Sequence, residues 1–183
     1  MNVFDILGPV MIGPSSSHTA GAARIGRITL ALLGSPAVKA DIFLHGSFAK
    51  TYKGHGTDKA LIAGIMGMST DDSRIRRAPE LAREQGLAVT ITTGDIDGAH
   101  PNTARVALTD ADGNRVSLLG SSIGGGNILV TEVNGMEVSI TGQHTTLIVL
   151  HRDAPGTIAA VTEVMAEAGG NICNFRLSRQ QKG

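Results

Sequence analysis

Four histidines in this 183-residue chain stand in short polar stretches, three of them directly beside a serine, a threonine or a glycine. There an imidazole can pass a proton, and a backbone can approach a ligand closely. The richest stretch is Gly13-Pro14-Ser15-Ser16-Ser17-His18-Thr19-Ala20-Gly21. A Gly-Pro turn runs into three serines, a histidine and a threonine, and then into a helical pattern. Ser and Thr oxygens bond the free N–H groups of a first helical turn. Those N–H groups and the helix dipole also attract a carboxylate or a phosphate. Ser15, Ser16, Ser17 and Thr19 are therefore candidate anion ligands, and His18 is a candidate acid or base. The plainer alternative is a serine-rich cap with His18 exposed. The lysine of a phosphate-binding P-loop is absent.

The other places are His45-Gly46-Ser47, Gly54-His55-Gly56-Thr57-Asp58 and His100-Pro101-Asn102, with Gly124-Gly125-Gly126-Asn127 as a backbone-rich companion. Any one of them alone reads as polar surface. Together they point to loops converging on a small polar ligand, with hydroxyls and N–H groups as donors and histidine as acid or base. A serine hydrolase is disfavoured: there is no G-x-S-x-G elbow, and Ser16 and His18 are too close in sequence to assemble as a triad.

The elements that must position these residues follow from periodicity. Thr19–Leu33 reads as a helix with Ala22, Ile25, Ile28, Thr29 and Leu32 inward. Arg24 and Arg27 share another face and read first as solvated charge, with docking to an acidic partner as the alternative. Val38–His45 reads as a strand, followed by a short helix to Lys53. Gly54–Asp58 reads as a loop before a helix through Gly67, and Pro79–Gln85 as a further short helix. Leu87–Thr93 is an expected strand. Two hairpins follow, Ala104–Thr109 with Arg115–Leu119 and Asn127–Val133 with Met136–Thr141, separated by a loop over Ser121–Gly126. Asn134-Gly135 signals a type I′ turn. Helices followed by antiparallel strands give an α+β domain over residues 1–142. Residues 145–183 read as a separate β-α-β unit: strand Thr145–His151, helix Thr157–Ala168 with Ile158, Val161, Val164 and Met165 inward, and strand Ile172–Arg179.

Composition narrows the function classes. Sixteen Lys and Arg balance sixteen Asp and Glu, so no basic excess points to nucleic acid. No apolar run approaches the ~18 residues of a membrane span. Met1–Asp5 does not resemble a signal peptide, which makes the cytoplasm the expected compartment. Residues 3–10 form an apolar lead-in. The single cysteine, Cys173, is expected to be buried, and no cysteine cluster for a metal exists in this chain.

The serine–histidine stretch, taken with His45-Gly46-Ser47, Gly54-His55-Gly56-Thr57-Asp58 and His100-Pro101-Asn102-Thr103, resembles the beta chain of iron–sulfur-dependent L-serine dehydratases over nearly the whole length. From Thr145 the chain resembles the first half of an ACT domain, with Asp153-Ala154-Pro155-Gly156 at its ligand-facing turn. The resemblance implies a substrate-binding domain of the type also found in some phosphoglycerate dehydrogenases. It implies conversion of L-serine to pyruvate and ammonia, in serine catabolism and gluconeogenesis. It further implies a four-iron four-sulfur cluster ligated by a separate alpha subunit, packed as a heterodimer or larger assembly, with no metal ligand here. By the same resemblance Ser15, Ser16, Ser17 and Thr19 would hold the substrate carboxylate, and His18 and His55, ahead of His45, would transfer or orient protons. Ser47, Gly56, Thr57, Asp58, Asn102, Gly125 and Asn127 would complete the substrate pocket. The base is left open among these histidines and the alpha chain. A non-catalytic amino-acid sensor is the alternative reading.

Overall fold

The computed structural model describes residues 10–178. Met1–Asp5 and all but the last residue of the expected lead-in lie outside them. The chain divides into two compact units, Met1–His144 and Thr145–Gly183.

The first unit opens with a π-helical turn, Ser16–Gly21, which continues directly into helix α1, Ala22–Leu33. Strand β1, Ala37–His45, leads into α2, Gly46–His55, and α3, Thr57–Ile65. A 3₁₀ turn, Ser73–Arg77, and α4, Ala78–Glu84, return the chain to β2, Ala88–Gly94. Four strands complete the unit: β3, Thr103–Asp110; β4, Arg115–Gly124; β5, Asn127–Val133; and β6, Met136–Ile140. They form one mixed sheet in the order β2-β1-β3-β4-β5-β6. Only β1 and β2 are parallel, with Ile42 opposite Ile91; across β3, Ile42 faces Val106 in antiparallel register. This is the expected α+β class. No helix among the described residues is long and apolar enough to cross a membrane.

Alternation in the strands makes the buried face. Ala40, Ile42 and Leu44 of β1, Val106 and Leu108 of β3, Leu118 of β4 and Val130 of β5 all point into the core. Helix α1 lies across β3 and β4, and α3 packs on α1. The two helices meet at backbone distance. A Cβ placed on Gly26 would lie 2.4 Å from the Leu61 carbonyl oxygen, and one on Gly64 would lie 2.0 Å from that of Ala23. The apolar stripe read from the sequence holds at Ala22, Ile25 and Thr29, and Gly26 joins it as the contact point.

Several boundaries differ from the sequence reading. Gly54–Asp58 is not a loop: α2 runs through His55, and α3 starts two residues later. One residue suffices because Gly56 adopts φ 72°, and its N–H closes α2 on the Tyr52 carbonyl. Ser121–Gly126 is not a loop either. Strand β4 continues to Gly124, which pairs with Asn127, so the turn is only Gly125-Gly126. At the next turn Asn134 and Gly135 both have positive φ, as a type I′ hairpin requires.

The second unit contains helix α5, Thr157–Glu167. Neither Thr145–Leu150 nor Ile172–Ser178 forms a strand, in contrast to the expected β-α-β pattern. Their β-branched and apolar side chains suit a sheet, but a strand exists only where a neighbour completes its ladder. No residue of α5 is fully buried, and Val164 is exposed instead of facing inward. Cys173 is exposed, contrary to expectation, because this segment has no core to enter.

The glycine contact between α1 and α3 yields a direct test. Gly64→Ala should destabilise the protein by about 1–3 kcal/mol, since a side chain there forces two helix backbones apart. Urea denaturation reads this as a lower midpoint; an unchanged midpoint would mean that the helices do not touch at Gly64.

Candidate active site

The strand directions place the candidate residues at one end of the sheet. Strands β1, β2 and β4 end there, and β3 and β5 begin there. The loops carrying His45-Gly46-Ser47, His100-Pro101-Asn102 and Gly125-Asn127 therefore share an edge. The π-helical turn reaches the same edge: a Cβ on Gly21 would lie 2.0 Å from Ser122 Oγ, so only glycine lets the turn meet β4. Gly46, at φ 59°, lets Ser47 N–H donate to the Pro101 carbonyl at 2.7 Å. Ser122 N–H donates to the Asn102 carbonyl at 2.9 Å. These bonds join the π-helical turn, α2, the β2–β3 loop and β4 into one frame.

His18 sits inside this frame, only 8% exposed. Its Nδ1 lies 3.3 Å from Ser15 Oγ. Its Nε2 lies 3.1 Å from Thr51 Oγ1 and 3.4 Å from Ser47 Oγ. Phe48 packs edge-on to the ring at 5.1 Å between centroids, and His55 does so at 4.7 Å. Every hydrogen-bonding side chain on the ring is a hydroxyl; none is a carboxylate. Burial holds the imidazole below its ordinary pKa of 6.5, and the charge that His55 can carry adds to this; a bond to the Ser47 backbone opposes both. A buried histidine kept neutral near pH 7 retains a lone pair for accepting a proton.

The serine stretch does less conventional capping than expected. Ser15 is the cap, its backbone extended and its Oγ accepting from His18 N–H at 3.4 Å. Beyond it the chain forms a wide π turn, a form rare in proteins and frequent at functional sites. That turn buries His18 and Thr19 and leaves Ser16 and Ser17 half-buried.

Beside the histidine pair lies a cleft of about 520 Å³. Gly13, Pro14 and Thr19 line one part of it, with Lys53, His55, Gly56, Lys59 and Arg76 among the rest. No acidic residue lines it, so the cleft favours an anionic group. A hollow of about 500 Å³ at the far ends of α1 and α3, lined by Leu30, Pro36, Met66 and Leu87, holds none of the candidate residues.

The remaining candidates divide. Thr57 is fully buried at the start of α3, and its Oγ1 has no partner. Asp58 accepts the Lys59 N–H at 2.8 Å, in the first turn of α3. His45 turns toward the β2–β3 loop. Its Nδ1 accepts from Ile96 N–H at 3.0 Å, and the exposed Asp95 carboxylate lies 3.6 Å from the same nitrogen. Asn102 contributes backbone bonds, accepting from Ser122 and donating to His100 Nδ1 at 3.1 Å. Gly125 lies in the β4–β5 turn, and Asn127 Oδ1 meets Gln143 at 3.3 Å. Arg24 is not merely solvated: its guanidinium donates to the Gly126 carbonyl at 2.8 Å and ties that turn to α1.

Sequence reasoning missed Thr51, Lys53, Lys59, Arg76 and Ser122. Thr51 had a signal, since it follows Ser47 by one helical turn. The cations had none, because only the fold brings residues 53, 59 and 76 to one cleft.

These arrangements set a titration. By NMR, His18 should titrate below 6.5. His55→Gln should move that value upward, because it removes the neighbouring positive charge. A histidine with a lowered native pKa contributes stability that is complete above 6.5 and declines as the pH falls through the lowered value. An unshifted His18 in the variant would contradict the coupling.

A family profile described as serine dehydratase beta chain matches residues 2–133. Over 182 residues the chain is 46% identical to the probable L-serine dehydratase, beta chain, of Bacillus subtilis (strain 168), covering 100% of this chain and 82% of that one. It is 38% identical over 172 residues to the L-serine dehydratase, beta chain, of Peptoniphilus asaccharolyticus, covering 93% and 78%. A shorter match, 30% over 107 residues, links it to a D-3-phosphoglycerate dehydrogenase of Mycobacterium leprae (strain TN), with coverage of 58% and 20%.

Proposed function

This chain belongs to the serine dehydratase beta chain family, and we propose that it supplies the histidine-bearing half of an L-serine ammonia-lyase. The observation that carries the site assignment is the hydroxyl-caged His18 edge-on to His55 beside a cationic cleft. The sensor alternative is not favoured, because the relatives that match over most of their length bear dehydratase names.

The chemistry asks for two things that this geometry can offer. The substrate carboxylate needs a positive, donor-rich surface, which Lys53, Lys59 and Arg76 provide near the serine stretch. The α-proton needs a base. When it leaves to a neutral imidazole, the C–H electron pair becomes the Cα=Cβ bond and the β-hydroxyl departs, taking up a proton to become water. The aminoacrylate then tautomerises to an imine and is hydrolysed to pyruvate and ammonia. His18 is the favoured acceptor because burial favours its neutral form and its ring lies edge-on to His55, which lines the cleft. His55, exposed at the cleft, is placed to exchange protons with solvent.

This chain's own donors do not fit an iron–sulfur cluster. It has one cysteine, and no group of three or more His, Cys, Asp or Glu among the described residues could hold a metal. We therefore assign the cluster that the family resemblance implies to a cysteine-bearing alpha subunit, the expected partner.

Anaerobic pyruvate formation from L-serine, with and without that partner carrying its cluster, tests the reading. Activity is expected only in the mixture. His18→Gln should lower kcat by about 10²–10⁴-fold, the usual contribution of a positioned base. Lys59→Gln combined with Arg76→Gln should raise KM about tenfold, as expected when charge-assisted bonds are lost. Full activity of His18→Gln would remove this histidine from the chemistry.

A further inference from the structure

The ring of His18 is gripped from both sides, and one grip decides which nitrogen carries the hydrogen. The hydroxyl of Thr51 has a single hydrogen, and it donates that hydrogen to the Ser47 carbonyl one helical turn earlier, at 2.7 Å. The same oxygen lies 3.1 Å from His18 Nε2, where it can then act only as an acceptor. Thr51 therefore demands an N–H from Nε2, and the Ser47 hydroxyl, 3.4 Å from the same nitrogen, can accept from it as well. On the other side Ser15 Oγ accepts the His18 backbone N–H at 3.4 Å, so its own hydrogen is available to Nδ1 at 3.3 Å.

We infer that Thr51 is a positioning residue that fixes neutral His18 as the Nε2–H tautomer, leaving the Nδ1 lone pair on the side of Ser15 as the atom that takes up a proton. The tautomer follows from the hydrogen bonds alone; its catalytic consequence rests on the proposed role of His18. Threonine suits this position because its branched side chain restricts χ1 and the carbonyl fixes its hydroxyl rotor. When Nδ1 gains a proton, Nε2 keeps its hydrogen and its bond to Thr51, so Thr51 need not reorient during the transfer.

Long-range ¹H–¹⁵N spectra of the full chain labelled at histidine test this directly. At pH 7.5 the His18 Nε2 should show the shift of a protonated nitrogen, and Nδ1 that of a lone-pair nitrogen. Thr51→Val, close in shape, should draw the two shifts together as both tautomers populate, and Thr51→Ser should restore the wild-type pattern. In the assembled enzyme, Thr51→Val should lower kcat about five- to tenfold with little change in KM, in keeping with one modest hydrogen bond, and Thr51→Ser should recover it. A wild-type His18 protonated at Nδ1, or a Thr51→Val spectrum identical to wild type, overturns the inference. The expected spectra with full activity in His18→Gln would uphold the tautomer and overturn the catalytic reading of His18.

Discussion

Two helix backbones in contact govern the rest of the first unit. Gly26 of α1 and Gly64 of α3 leave no room for side chains where they cross. Helix α1 carries the π-helical turn with His18 at one end, and α3 begins immediately after His55 and Gly56. The separation of the two imidazoles therefore follows from how closely these helices approach. With bulkier residues at the crossing, each helix would still form, but the 4.7 Å ring contact would not.

Around that contact the site is built from hydroxyls instead of charges. Ser15, Ser47 and Thr51 surround His18, and Thr103 bridges the Ser121 hydroxyl and the His100 carbonyl nearby. Hydroxyls can donate or accept, so such a cage tolerates both protonation states of the ring without a buried counter-ion. It also leaves the lowered pKa to burial and to the neighbouring imidazole. The cations stay outside the cage, lining the cleft, where they can meet an anion without adding to the load on His18.

Much of this was legible in the chain. Strand alternation, the hairpin at Asn134-Gly135 and the inward face at Ala22, Ile25 and Thr29 are local signals with local causes. The histidine stretches could be singled out because polar residues clustered beside glycine at the ends of elements. What stayed hidden depended on distance in sequence. Arg24 bonds a carbonyl 102 residues away, and Lys53, Lys59 and Arg76 become neighbours only across a helix corner. Gly56 reads equally well as part of a loop or as a one-residue junction, and Ser121 and Ser122 as loop or strand, until packing decides. The β-like stretches flanking α5 show the reverse error, in which composition promised strands that no neighbour completes.

The π turn at Ser16–Gly21 has a consequence for how this segment can change over generations. A π turn holds one residue more than the α turn it replaces, and each residue of an α-helix rotates the chain by about 100°. Deleting one residue would relax the turn to an α-helix and swing every side chain before it to a different bearing. The length of this tract is therefore a fixed quantity. Among descendants of this sequence, His18 and Gly21 should persist there and single-residue gaps should not accumulate.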